Sequence, residues 1–84
     1  MRVFYDKSIY AISRVDYNFE KNQLCLFFIH NQEYDKIIAD RMIVTCDSDY
    51  FMTELLYALL RQGYYDLNNF HVKKVDFIKI KGIV

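Results

Sequence analysis

Eighty-four residues suffice for one domain and leave no room for a second core, so a single domain over residues 1–84 is expected. Eleven Lys and Arg balance eleven Asp and Glu, which removes any global electrostatic drive toward nucleic acid or an anionic membrane surface. The chain is 54% hydrophobic and carries eight Tyr and seven Phe, more rings than so small a core readily buries, and the surplus points to oligomerisation or partner binding.

Met1 to Tyr5 is a short apolar run that fits an edge strand, and Asp6, Lys7 and Ser8 make a turn. Ile9 to Glu20 holds the cleanest alternation. Val15, Tyr17 and Phe19 point one way and Arg14, Asp16, Asn18 and Glu20 the other, as in a half-buried strand. Lys21 and Asn22 then turn the chain, Asn tolerating positive φ. Leu24 to Ile29 is a continuous apolar run, the pattern of a strand covered on both faces or carrying an exposed apolar surface. The two segments read as a β-hairpin. His30 to Tyr34 is polar and reads as a connection. Lys36 to Cys46 is apolar and β-branched apart from Asp40 and Arg41, and reads as a strand kinked or bulged at Ala39–Asp40–Arg41. A helix over Asp35 to Met42 is the competing reading.

Asp47 to Gly63 keeps a helical period. Phe51, Met52, Leu55, Leu56, Ala58 and Leu59 fall on one arc, with Leu60 at its edge. Asp47, Ser48 and Asp49 supply a capping oxygen and acids for the positive end of the helix dipole. Arg61 in the last turn and Gly63 beyond it mark the stop. On the opposite face, Tyr50, Glu54, Tyr57 and Arg61 form a second stripe, where a solvated helix usually carries Lys, Glu and Gln.

Tyr64 to Asn69 reads as a loop. Val72 to Ile80 alternates imperfectly, Val75 and Phe77 on one face and Ile78 and Ile80 on the other, as in a bulged or terminal edge strand protected by lysines. The expected architecture is α+β: an antiparallel sheet of three to five strands with one long helix packed on one face, in the order β-β-β-β-α-β. One helix cannot cover both faces of a sheet. The other face is then solvated, paired with a second copy, or docked on a partner.

Charge is unevenly placed. Asn31 to Leu56 holds six acids and two bases, while Lys73 to Val84 holds four lysines and one acid. The two stretches cancel if the tail pairs beside the acidic stretch, and otherwise form separate patches. Cys25 and Cys46 lie in apolar runs without metal-ligand spacing and read as reduced thiols of a cytoplasmic protein, although one disulfide between them is compatible with the sequence. A secretory apolar region and a run of eighteen apolar residues are both missing, so no membrane span is expected. Phe, Tyr, Met, Ile, Asn and Lys total 39 residues against nine of Gly, Ala, Arg and Pro. The codons of the first group are AT-rich, which suits a low-GC bacterium, its phages or its plasmids.

Catalytic signatures are sparse. The glycines are Gly63 and Gly82, so a phosphate-cradling loop, a nucleophile elbow and a dinucleotide fingerprint are absent, and no cofactor is implied. Cys25 or Cys46 with His30 or His71 would be a dyad only if an apolar setting did not raise the thiol pKa. Asp47 and Asp49, with Asp40 and Glu54, could offer oxygen ligands, but helix capping accounts for the first two, and no metal is expected. Phe70, His71, Lys73, Lys74, Phe77, Lys79 and Lys81 interleave rings with cations. They form the alternative of a small nucleic-acid-binding protein working through Lys73, Lys74, Lys79 and Lys81. Against it stands the zero net charge.

The leading expectation is a non-enzymatic protein-interaction module that binds a partner protein, or itself as a homo-oligomer. Its surface would be Tyr50, Glu54, Tyr57, Arg61, Tyr64 and Tyr65, residue types enriched at binding hot spots. Size, composition and missing catalytic groups suit an accessory or inhibitor protein of a phage or mobile element, for instance one acting on a host defence nuclease.

Overall fold

Two copies of the tripeptide Tyr-Asp-Lys bend this chain. At Asp6 and Lys7, and again at Asp35 and Lys36, both residues sit at positive φ (47° and 70°, 49° and 67°). A pair of left-handed residues is the mark of the type I′ turn, whose twist matches that of antiparallel strands. The computed structural model describes residues 1–80. The first turn joins β1 (Arg2–Tyr5) to β2 (Ser8–Asn18), and the second joins β3 (Gln23–Tyr34) to β4 (Ile37–Cys46). Between β2 and β3 a single 3-10 turn, Phe19–Lys21, is capped by the Asn18 side chain and ends at Asn22 with φ 54°.

After β4 come the helix α1 (Asp49–Gln62), β5 (Tyr64–Asp66) and β6 (Val72–Lys79). The six strands form one sheet in the order β5-β1-β2-β3-β4-β6. β5 runs parallel to β1, and every other neighbouring pair is antiparallel. The fold is therefore α+β, with one helix among the described residues, but the sheet is mixed and has six strands rather than three to five.

Two segments account for the difference. His30–Tyr34 belongs to β3 rather than to a connection, and its polarity reflects a strand end that is mostly wet. Tyr64–Asp66 is a strand because β1, distant in sequence, holds it in parallel register, Arg2 against Tyr64 and Val3 against Tyr65. Arg2 N–H also donates to the Gly63 carbonyl (2.9 Å), and Leu67 N–H to that of Phe4 (2.8 Å), so both ends of the short strand are tied to β1. The expected interruption at Ala39–Asp40–Arg41 is present as a register shift between β4 and β6.

Helix α1 starts and stops where its caps stand. The Ser48 hydroxyl accepts from the Phe51 N–H (3.4 Å), and Gly63, at φ 80°, donates its N–H to the Leu59 carbonyl (3.1 Å). Met52, Leu55 and Leu59 are buried, Phe51 and Leu56 pack partly against the core, and Leu60 is exposed. The helix lies on β3, β4 and β5 and shares one core with Leu24, Val44 and Cys46.

The other half of the core is closed by rings. Tyr5, Tyr10, Phe28 and Tyr34 all gather round Phe77, with Tyr34 stacked on it at 4.2 Å and 7°. Tyr5 of β1 comes within 6.1 Å of Phe77 of β6 although three strands separate them in the sheet, so the sheet curls. Burying apolar surface at both ends of that curl is the main term favouring the fold. Tyr17 and Phe19 do not follow the core-facing alternation to its end. Both are exposed beyond the reach of the curl and pack on each other at 4.7 Å.

β6 lies beside β4, so the basic tail does pair along part of the acidic stretch. Each stretch also neutralises itself locally, through Arg41 with Asp40 (3.1 Å) and Lys74 with Asp76 (3.4 Å).

Candidate functional site

Two surfaces are left by this architecture, one on each side of the sheet. The first is a groove along the solvent side of α1. A period of 3.6 residues puts Tyr50, Glu54, Tyr57 and Arg61 in one row, and Tyr65 rises from β5 on the side shared with buried Val3. These five residues line one open groove together with Asp49, Thr53, Ala58 and Gln62. Tyr50 and Tyr57 stand 68% and 58% exposed, so their rings are offered to solvent rather than spent on the core. Tyr65 is half-buried, and burial raises its phenol pKa, while the Asn69 side-chain amide donates to its oxygen at 3.4 Å. The groove has a charge direction, with Asp49 and Glu54 toward the helix start and Arg61 toward its end.

Tyr64 does not join this groove. Neighbouring residues of a strand face opposite ways, and its ring stands edge-on to Phe4 at 5.1 Å on the far side of the sheet. Ala58, placed on the core arc by its spacing, is half-buried and lines the groove instead. Thr53 and Gln62 were missed as groove residues; the helical neighbour rule finds Thr53 from Tyr50 and Tyr57, and Gln62 only from Ala58, which its spacing had assigned to the core.

The second surface is the outer face of β2, β3, β4 and β6, which no described residue covers. Register stacks its side chains in rows across the strands: Arg14, Phe27, Arg41 and Ile78, then Asp16, Cys25, Ile43 and Asp76. The guanidinium groups of Arg14 and Arg41 approach the Phe27 ring at 4.0 and 5.2 Å, cation–π contacts from both flanking strands. Phe27, Cys25, Ile43 and Ile78 are each half-buried, and shallow hollows lie on both sides of Ile43. Splitting Leu24 to Ile29 by parity would have separated Cys25 and Phe27 from Leu24, Leu26 and Phe28. Only the pairing register brings the flanking charges beside them.

The lysines of the alternative site sit on β6. Lys73, Lys74 and Lys79 are exposed, Lys74 is paired with Asp76, and Lys81 lies outside the described residues. Phe77, which would have to stack on a base, is engaged in the aromatic cluster. Phe70 is 82% exposed beside His71, whose ring stacks on Phe51 at 3.5 Å. The buried Nδ1 of His71 has no hydrogen-bond partner among the described residues, and Asp47 lies 3.9 Å away.

Both cysteines are free. Burial raises the thiol pKa of each, that of Cys46 to about 11, so both hold their protons at neutral pH and are poor nucleophiles. Among the described residues no three His, Cys, Asp or Glu side chains converge as a metal site would require, and no helix is long and apolar enough to cross a membrane. No protein-family profile, curated protein or solved structure matches the chain.

Proposed function

We propose that this α+β domain is a non-enzymatic interaction module whose helix-side groove holds a segment of another protein. The observation that carries the reading is the convergence of Tyr50, Glu54, Tyr57, Arg61 and Tyr65 on one open groove. Tyrosine and arginine supply large contact area at low entropic cost and are the residue types over-represented at hot spots. The groove's charge direction suits a segment with apolar side chains over the tyrosines, a base near Asp49 and Glu54, and an acid near Arg61. An accessory or inhibitor protein of a phage or mobile element, cytoplasmic and acting for example on a host defence nuclease, is the biological setting that composition favours.

Affinity capture with purified protein tests this reading. Wild-type protein retains a partner, and Tyr57→Ala combined with Arg61→Ala loses it while the far-ultraviolet circular dichroism and melting temperature stay unchanged. Undiminished capture by a folded double variant would remove the groove from the account. Retention on DNA or RNA at low salt, abolished by Lys73→Glu with Lys74→Glu, would transfer the function to β6.

A further inference from the structure

We infer that the outer face of β2, β3, β4 and β6 pairs with the same face of a second copy of this chain. The face has an apolar centre, formed by Phe27, Cys25, Ile43 and Ile78, and these side chains stand apart from the hydrophobic core on the other side of the sheet.

Charge selects the occupant. Three bases on this face each hold an acid: Arg14 with Asp16 at 3.5 Å, Arg41 with Asp40 at 3.1 Å, and Lys74 with Asp76 at 3.4 Å, while Lys79 borders the hollow beside Ile78 at the β6 edge. A phosphate backbone needs a run of unpaired cations, which Lys79 alone at the edge does not supply. A strongly charged protein surface would find equal numbers of attractive and repulsive groups. A second copy offers an acidic row, Asp16 and Asp76, to the basic row of Arg14 and Arg41, and the reverse. The pairs are solvent-exposed, so exchanging an internal partner for one on the other copy costs little.

The row pattern also selects a geometry. Two two-fold axes can lie in the plane of a face-to-face contact. An axis along the strands, between β3 and β4, lays β2 over β6 and sets Asp16 against Asp76, two acids together. An axis across the strands, between the two rows, lays each row over the other. Arg14 then meets Asp16 of the second copy, Phe27 meets Cys25, Arg41 meets Ile43, and Ile78 meets Asp76. The second arrangement is the one that sets unlike charges together, and a tilt of about 30° between the sheets is usual for such packing.

Four strands about 4.8 Å apart give a patch roughly 19 Å across and a few hundred Å² per copy. That is less than the roughly 800 Å² per partner of a standard stable interface, so the dimer forms only at elevated concentration. The helix lies on the opposite face of the sheet, so such a dimer holds its two grooves outward and would engage a repeated or dimeric partner bivalently.

Light scattering after size exclusion, run over a wide range of loading concentrations, tests the pairing. The expected result is a mass that climbs from monomer toward dimer as concentration rises. Ile43→Lys holds the protein monomeric throughout, Arg14→Asp weakens the dimer at least tenfold, and Arg14→Asp with Asp16→Arg restores it. Should a variant fail to fold, maleimide labelling of the unaltered protein decides. Cys25 becomes protected as concentration rises, with buried Cys46 as the internal reference. A mass that stays monomeric at every concentration overturns the inference. So does a dimer that survives Ile43→Lys, or one lost through Tyr57→Ala. None of these outcomes depends on whether the groove captures a partner.

Discussion

The groove and the outer face use the same few residue types to different ends. Along α1 the tyrosines are exposed and the charges are graded from acidic to basic, which suits a partner unlike the chain itself. Across β2, β3, β4 and β6 the apolar groups are half-buried and a basic row lies beside an acidic one, which suits a copy of itself. The difference comes from the supporting element. A helix displays one stripe whose charge follows its own dipole and caps, whereas a sheet displays rows collected from four strands, here one basic and the next acidic.

The largest perturbation should abolish both surfaces together. Phe77→Ala removes the half-buried ring on which Tyr5, Tyr10, Phe28 and Tyr34 converge, and its truncation should cost up to about 3 kcal/mol, the lower end of the range for a fully buried aromatic. A small domain has a margin of about 5–15 kcal/mol, so urea unfolding should show a midpoint shifted far down or no cooperative transition. A shift below about 1 kcal/mol would mean that the rings at this end decorate the fold rather than close it.

Next in size is the helix support. Ser48→Ala removes the acceptor for the Phe51 N–H and should cost about 1 kcal/mol, disturbing the groove's first turn while leaving the outer face intact. The opposite sign is expected at the other surface. Lys36 sits at φ 67°, where a side chain is strained, and Lys36→Gly should stabilise the β3–β4 hairpin by up to about 1 kcal/mol. A rise in urea midpoint without a change in slope would verify it, and a fall would show that the Lys36 side chain makes an unrecognised contact.

The smallest effect is one of pH. The folded Cys46 thiol is raised to about 11 from an ordinary 9.0 by burial. Holding the proton therefore contributes stability that is complete below pH 9 and is lost as pH climbs toward 11. Thermal melts across that window should decline less steeply for Cys46→Ala than for the unaltered protein. Tyr34 adds a spectroscopic marker on the groove-free end, its phenol pushed up to about 12 because it donates to the Asp6 carboxylate at 3.1 Å.

Much of the helix side was legible in the sequence. Ser48, the Met52–Leu55–Leu59 spacing and Gly63 each act within a turn or two of the chain, so local reading recovers them. The same is true of the turns at Asp6–Lys7 and Lys21–Asn22. The recurrence of Tyr-Asp-Lys at Tyr34–Lys36 was a usable signal for the second hairpin turn, and the polar run before it hid the end of β3. β5 was out of reach, since three residues have no period and their partner β1 lies 62 residues away in register, Arg2 against Tyr64. Of the candidate groove, the helical stripe was readable and Tyr65 joined it, while Tyr64 went to the other side by strand parity. That a second sheet face stays uncovered was readable, but its make-up was hidden for a related reason. Arg14, Phe27 and Arg41 are scattered along the chain and become one row only through β2–β3–β4 pairing.

The decisive comparison is unaltered protein, Ile43→Lys and Tyr57→Ala side by side, each measured for mass by light scattering and for partner capture. The account predicts separate losses: Ile43→Lys abolishes the dimer and still captures, while Tyr57→Ala dimerises and fails to capture. Loss of both properties in either folded variant would contradict it, because the groove and the outer face would then be a single interface.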